Sequence, residues 1–160
     1  MIFTTKAEYG VRLLIQLGRQ EPGHPMSLKA VAEAESLPLA YLERIAALLK
    51  KAGFIEATRG AHGGYRLARP PEEITMDAVV LALEGAIAPM DCFVDDREGR
   101  VLCSHHADGE ACSTKLLWTR VQVGVIRSLQ RTTLAELVEF QTRGVLPAAP
   151  TLPTPEPSHG

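Results

Sequence analysis

Residues 27–67 read SLKAVAEAESLPLAYLERIAALLKKAGFIEATRGAHGGYRL, and the order of patterns in this stretch decides the fold. Ser27 is placed to cap a short helix over about 28–35, with Leu28, Val31 and Ala32 facing inward. Ser36-Leu37-Pro38 makes a tight turn, and Pro38 suits the start of the next helix. That helix is predicted over 39–52, buried through Leu42, Ile45, Leu48 and Leu49, with Gly53 placed as a left-handed stop. There the period changes. Residues 54–58 and 65–68 are strand candidates, and three glycines within 59–64 suit the loop of a hairpin.

Working outward, residues 5–19 carry Ala7, Val11, Leu14, Ile15 and Gly18 at helical spacing, until Glu21-Pro22-Gly23-His24-Pro25 interrupts. On the other side Pro70-Pro71 closes the unit and Thr75 is a cap for a helix over about 76–84. Residues 85–112 show no period and contain all three cysteines. A long helix is predicted from about 114 to 131, with Leu117, Val121, Val125 and Leu129 as a stripe at i+4 spacing. Thr133-Leu134-Ala135-Glu136 is a capping box opening a last helix that ends near Gly144. Five prolines fall within 147–160, so that tail is expected to be disordered. The organisation expected is therefore a first unit over 1–70, a connecting helix and cysteine segment over 71–112, a long and a final helix over 113–144, and a tail over 145–160.

Helix, helix, tight turn, helix, two-stranded hairpin is the order of a winged helix-turn-helix, a mainly α fold with a small β-hairpin wing. In that fold the third helix presents residues near its N-terminus to base edges in the major groove. Ala40, Tyr41, Glu43 and Arg44 occupy that stretch; Glu43 suits a cytosine amino group and Arg44 a guanine or a phosphate. Thr4, Thr5, Lys6, Ser27 and Lys50 are expected phosphate contacts, which set register rather than sequence. Arg59 and His62 at the hairpin tip suit a minor groove. Charge agrees: residues 1–70 hold ten Lys/Arg against six Asp/Glu, whereas 71–160 hold seven against thirteen, an acidic back to a basic front. The competing reading is a winged-helix module for protein contacts, with Tyr41 half-buried and Glu43 and Arg44 an ordinary surface pair.

The chain has 160 residues, 46% hydrophobic and 22% charged, enough for one core built mostly from aliphatic side chains, since aromatics are 5%. No apolar run approaches the ~20 residues a membrane span requires. The opening Met1-Ile2-Phe3-Thr4-Thr5-Lys6 lacks the pattern of a signal peptide. The expectation is a cytoplasmic protein that meets no membrane and keeps its thiols reduced. Cys92, Cys103 and Cys112 are spaced C-x10-C-x8-C, with His105 and His106 between the last two. Three soft thiolates within 21 positions suit an iron–sulfur cluster or zinc, and the spacing alone does not choose between them. A small metal or thiol enzyme is the rival class, but neither Cys-x-x-Cys nor His-Glu-x-x-His is present.

Four segments carry a resemblance to a known family. Residues 1–10 resemble the opening of the Rrf-two family of bacterial transcription regulators, Leu39-Ala40-Tyr41-Leu42-Glu43 its recognition-helix start, and Arg59-Gly60-Ala61-His62-Gly63-Gly64-Tyr65 its wing motif, with His62 where a glycine is more usual. Cys112-Ser113-Thr114-Lys115-Leu116-Leu117-Trp118 is similar to its final cysteine leading into a dimerisation helix. The resemblance spans 1–144. It implies a homodimer crossed through the long helix, with Leu117, Val121, Val125 and Leu129 at the contact, binding a palindromic operator in double-stranded DNA, usually as a repressor. It also implies an iron–sulfur cluster, 2Fe-2S favoured and 4Fe-4S open, on Cys92, Cys103 and Cys112. Of the family's fourth ligands, the histidine three residues after the last cysteine is replaced here by Lys115, and the acidic residue on the partner's first helix corresponds to Glu8. Glu8 is preferred over His105 and His106. A zinc-stabilised or metal-free regulator with the same DNA role stays open.

Overall fold

The computed structural model of the chain describes residues 3–60, 62–87 and 113–144. The elements are α1 (Thr5–Gly18), α2 (Leu28–Glu35), α3 (Leu39–Lys51), β1 (Ile55–Thr58), β2 (Gly64–Leu67), a 3-10 turn (Pro71–Glu73), α4 (Met76–Glu84), α5 (Ser113–Arg131) and α6 (Leu134–Arg143). Local chemistry explains their ends. The Oγ of Ser27 accepts the Ala30 N–H at 3.1 Å, opening α2. Ser36 closes α2 with a left-handed φ of 54°, and Pro38 then opens α3. Thr133 and Glu136 exchange both bonds of a capping box, and Gly144 ends α6 at φ 69°.

The hairpin is antiparallel, pairing Ile55 with Leu67 through Thr58 with Gly64. The first strand begins one residue later than predicted. Phe54 is turned into the core, and its N–H still closes the end of α3 on the Leu49 carbonyl at 3.0 Å. Met26 supplies a third edge: its N–H and carbonyl exchange 2.9 Å bonds with Tyr65. That contact explains a glycine. A Cβ on Gly64 would lie 2.5 Å from the Met26 carbonyl oxygen, so only glycine lets the two backbones pair.

Leu13, Leu14, Leu42, Ile45, Leu49, Ile74 and Leu134 are fully buried in one core that draws on α1, α3, α4 and α6. Each such side chain contributes roughly 1.5–3 kcal/mol relative to exposure. A second backbone bridge, Thr75 with Thr133, joins the starts of α4 and α6; the Leu134 N–H donates to the Ile74 carbonyl at 2.8 Å.

Two helix faces differ from the expectation. On α1 the deepest positions are Ala7, Gly10, Leu13, Leu14 and Leu17, while Val11 and Ile15 are half-buried. The helix is held by α3, α4 and α6 together, so its inward face is broader than the stripe of one neighbour. On α3 Ala46 is buried and Leu48 is 36% exposed. At 100° per residue Leu48 lies well round the helix from the centre set by Leu42 and Leu49. The α5 stripe is divided. Leu129 packs on the core, Val121 and Val125 are half-buried, and Leu117 is 55% exposed. None of the described helices is long and apolar enough to cross a membrane.

Candidate nucleic-acid interface

Helix α3 stands between the tight turn and the wing with its charged side outward. Ala40, Glu43, Arg44 and Lys50 are exposed, as are Arg59 and His62 at the hairpin tip. Neither Arg44, Lys50 nor Arg59 makes an ion pair among the described residues. Their charge is therefore free for a polyanion. Tyr41 differs from these: it is half-buried, its ring edge-to-face on Tyr9 of α1 with centroids 5.6 Å apart. It braces the reading helix against the first helix.

The far end of α3 is locked to the exit of the wing. The Arg69 guanidinium donates to the Gly53 carbonyl at 3.0 Å and the Ala52 carbonyl at 3.2 Å, and lies 5.1 Å over the Phe54 ring. It thereby satisfies carbonyls that helix geometry leaves without partners and complements the negative end of the dipole. Arg66 pairs across the hairpin with Glu56 at 2.8 Å. The angle between α3 and the wing is thus set by Arg69, Met26 and the hairpin register.

Thr4 and Lys6, expected on phosphates, are held at the start of α1 by a residue from the end of α4. Glu84 Oε1 accepts from Thr4 Oγ1 at 2.6 Å and from the Thr4 and Ala7 amides at 3.2 Å; its other oxygen lies 3.8 Å from the Lys6 ammonium. With its side chain 8% exposed, Glu84 is an anion set into the N-terminus of α1. Ser27 serves as the cap of α2.

Glu8 is 58% exposed at its side chain and carries Arg12 at 2.7 Å, one turn along α1. Arg12 also reaches Glu35 at 3.0 Å, and Gln16 donates to the same carboxylate. The hydrogen bonds that Arg12 donates to Glu8 and then to Glu35 raise its pKa further and keep the guanidinium charged. The chain Glu8–Arg12–Glu35 ends one residue before the turn into α3. Cys92, Cys103, Cys112, His105 and His106 lie outside the described residues; among those described, no group of three His, Cys, Asp or Glu forms a metal site.

Sequence reasoning missed Glu84, Glu35, Arg12, Arg69 and Met26. The Glu8–Arg12 pair had a local signal in its i, i+4 spacing. The other contacts join residues from 15 to 80 positions apart and had none.

An unpaired cationic face on the third helix, with a glycine-built wing beside it, defines a DNA-binding winged-helix regulator. The chain matches a family model over residues 3–140, that of the Rrf2 iron-dependent transcriptional regulators, and it belongs to that family. It is 36% identical over 138 residues to protein rrf2 of Nitratidesulfovibrio vulgaris, covering 86% of this chain and 87% of that one. The structure of CymR, the global cysteine regulator of Bacillus subtilis, superposes with a TM-score of 0.72 at 31% identity over 88% of this chain and 98% of that one. That of T. potens IscR gives 0.71 at 28% identity, covering 93% and 94%. The relatives are transcriptional regulators, which sets the enzyme alternative aside.

Proposed function

We propose that this chain is a dimeric repressor that binds a palindromic operator and whose binding is tuned by an iron–sulfur cluster on Cys92, Cys103 and Cys112, with Glu8 of the partner subunit completing the ligand set. The observation that carries the proposal is the donor set itself: three thiols within 21 residues, between α4 and α5, in a family described as iron-dependent. Three soft thiolates and one carboxylate suit iron. When bound, the cluster supplies a centre whose charge and redox state respond to iron and oxidants.

The chain's own residues supply the connection to DNA. The cysteine segment leaves α4 just after Glu84, which grips the start of α1. Glu8 on α1 carries Arg12, so ligation by Glu8 competes with the guanidinium that also holds Glu35, next to the turn into α3. A dimer through α5 is supported by Leu116 and Leu117, 59% and 55% exposed near its start. Two-fold symmetry suits a palindrome whose half-sites lie roughly 34 Å apart, so small displacements of α3 alter affinity. The reading places the protein in the cytoplasm, with its DNA.

Purification without oxygen tests it. Iron and sulfide in equal amounts, a broad visible band, its loss in Cys112→Ala, and operator affinity that differs with and without the cluster are expected. Colourless protein with all three thiols alkylatable overturns the cluster; colourless protein with bound zinc favours the zinc-stabilised regulator instead.

A further inference from the structure

The four buried positions of α3, Leu42, Ile45, Ala46 and Leu49, fix its inward direction. At 3.6 residues per turn, the positions opposite them are Ala40, Arg44, Ala47 and Lys51, and all four are exposed. Most of that outward ridge lacks reach. Ala40 and Ala47 end in a methyl one turn on either side of Arg44, so the helix backbone can lie close to base edges. Arg44 alone extends beyond it in the N-terminal half. Lys51 stands in the last turn beside Lys50, where a flexible ammonium suits a phosphate.

Nothing on the helix neutralises Arg44. Its neighbours at three and four positions are Ala40, Tyr41, Ala47 and Leu48, none acidic. Glu43 is adjacent in sequence and points to a different side. Arg44 makes no ion pair among the described residues, and of the acids on α1 and α2, Glu8 and Glu35 are engaged by Arg12 while the exposed Glu33 pairs with no cation among the described residues. The guanidinium therefore keeps its full fork of donors, which matches the O6 and N7 acceptors of guanine in the major groove.

We infer that Arg44 is the base-reading residue of α3, pairing with one guanine in each half-site through O6 and N7, and that the flanking Ala40 and Ala47 set the depth at which it does so. The assignment rests on the DNA-binding reading above and deepens it from affinity to sequence. Arg44 is thereby separated from Lys50, Lys51 and Arg59, whose contacts are with the backbone or the minor groove.

The test begins with selection of a preferred duplex from random double-stranded DNA by the full chain. Each guanine is then replaced in turn by 7-deazaguanine, which removes N7, or by inosine, which keeps O6 and N7 and loses only a minor-groove amino group. At one guanine per half-site, 7-deazaguanine should weaken the wild type at least roughly fivefold and inosine should not. Arg44→Ala should lose that sensitivity while keeping salt-dependent binding, and Arg44→Lys should not restore it, because an ammonium is not a planar fork. A full 7-deazaguanine penalty in Arg44→Ala overturns the assignment. So does a uniform loss over all sequences with a salt slope reduced by about one, the signature of a phosphate contact. Failure of the wild type to bind any duplex overturns the operator reading as well, and so marks which of the two has failed.

Discussion

Replacing Glu84 tests whether α1 and α4 are joined as described. The carboxylate is nearly enclosed, accepts two amides and the Thr4 hydroxyl, and stands at the positive end of a 14-residue helix. Glu84→Ala removes the equivalent of an N-cap, worth about 1 kcal/mol, and a favourable anion–dipole interaction of about 0.3–2 kcal/mol. The Ala7 amide keeps a second acceptor in the Thr4 carbonyl at 3.1 Å, which moderates the cost. The expected destabilisation is about 1.5–3 kcal/mol, a fall in Tm of roughly 3–12 °C for a chain of this size. Glu84→Gln keeps an acceptor oxygen and gives up the 3.8 Å pair with Lys6, so it should cost under about 1 kcal/mol. Urea unfolding at a single protein concentration measures both, because oligomerisation couples to stability. Glu84→Ala within about 0.5 kcal/mol of wild type, or Glu84→Gln as damaging as Glu84→Ala, refutes the reasoning.

Further outcomes follow from other contacts. Gly64→Ala forces a Cβ to 2.5 Å from the Met26 carbonyl and should break the Met26–Tyr65 pairing; operator affinity measured by fluorescence anisotropy should fall at least about tenfold, since the wing loses its anchor. Arg69→Ala should weaken operator binding with the slope of log affinity against log salt unchanged, because Arg69 holds the end of α3 and no phosphate contact is removed. Leu117→Glu places a charge on an exposed apolar surface of α5, and sedimentation at micromolar concentration should show a monomer. Leu129→Ala should instead cost about 1–3 kcal/mol in unfolding, less than a fully buried leucine, since that residue packs on the edge of the core and is only partly buried.

What the sequence disclosed was the part of the fold written in short-range chemistry. The caps at Ser27 and Thr133, the turn at Ser36–Pro38 and the glycine loop each act within a few residues, and they placed six helices and a hairpin within a residue or two. Helix faces were less legible, because a helix gripped from several sides, as α1 is, buries more than one stripe. The outward face of α3 was legible in part: Ala40, Glu43 and Arg44 are exposed as expected, whereas Tyr41 is half-buried, Leu48 is exposed, and Ala47 and Lys51 were not singled out. The ties that orient those elements were not legible. Thr4 with Glu84, Thr75 with Thr133 and Arg69 with Gly53 depend on which elements meet, and no local spacing encodes that.

The pairing of Thr75 with Thr133 has a consequence during synthesis. Ile74, four residues past the wing unit, has no measurable exposure, and Leu134 from the other end of the chain shares the core with it. The core that α1, α3 and α4 share is therefore complete only once α6, the last of the described helices, has been synthesised. A polypeptide cut short before Leu134 leaves Ile74 without that neighbour and its apolar surface open to water, so such a truncation should be less stable and more readily cut by proteases than the full chain.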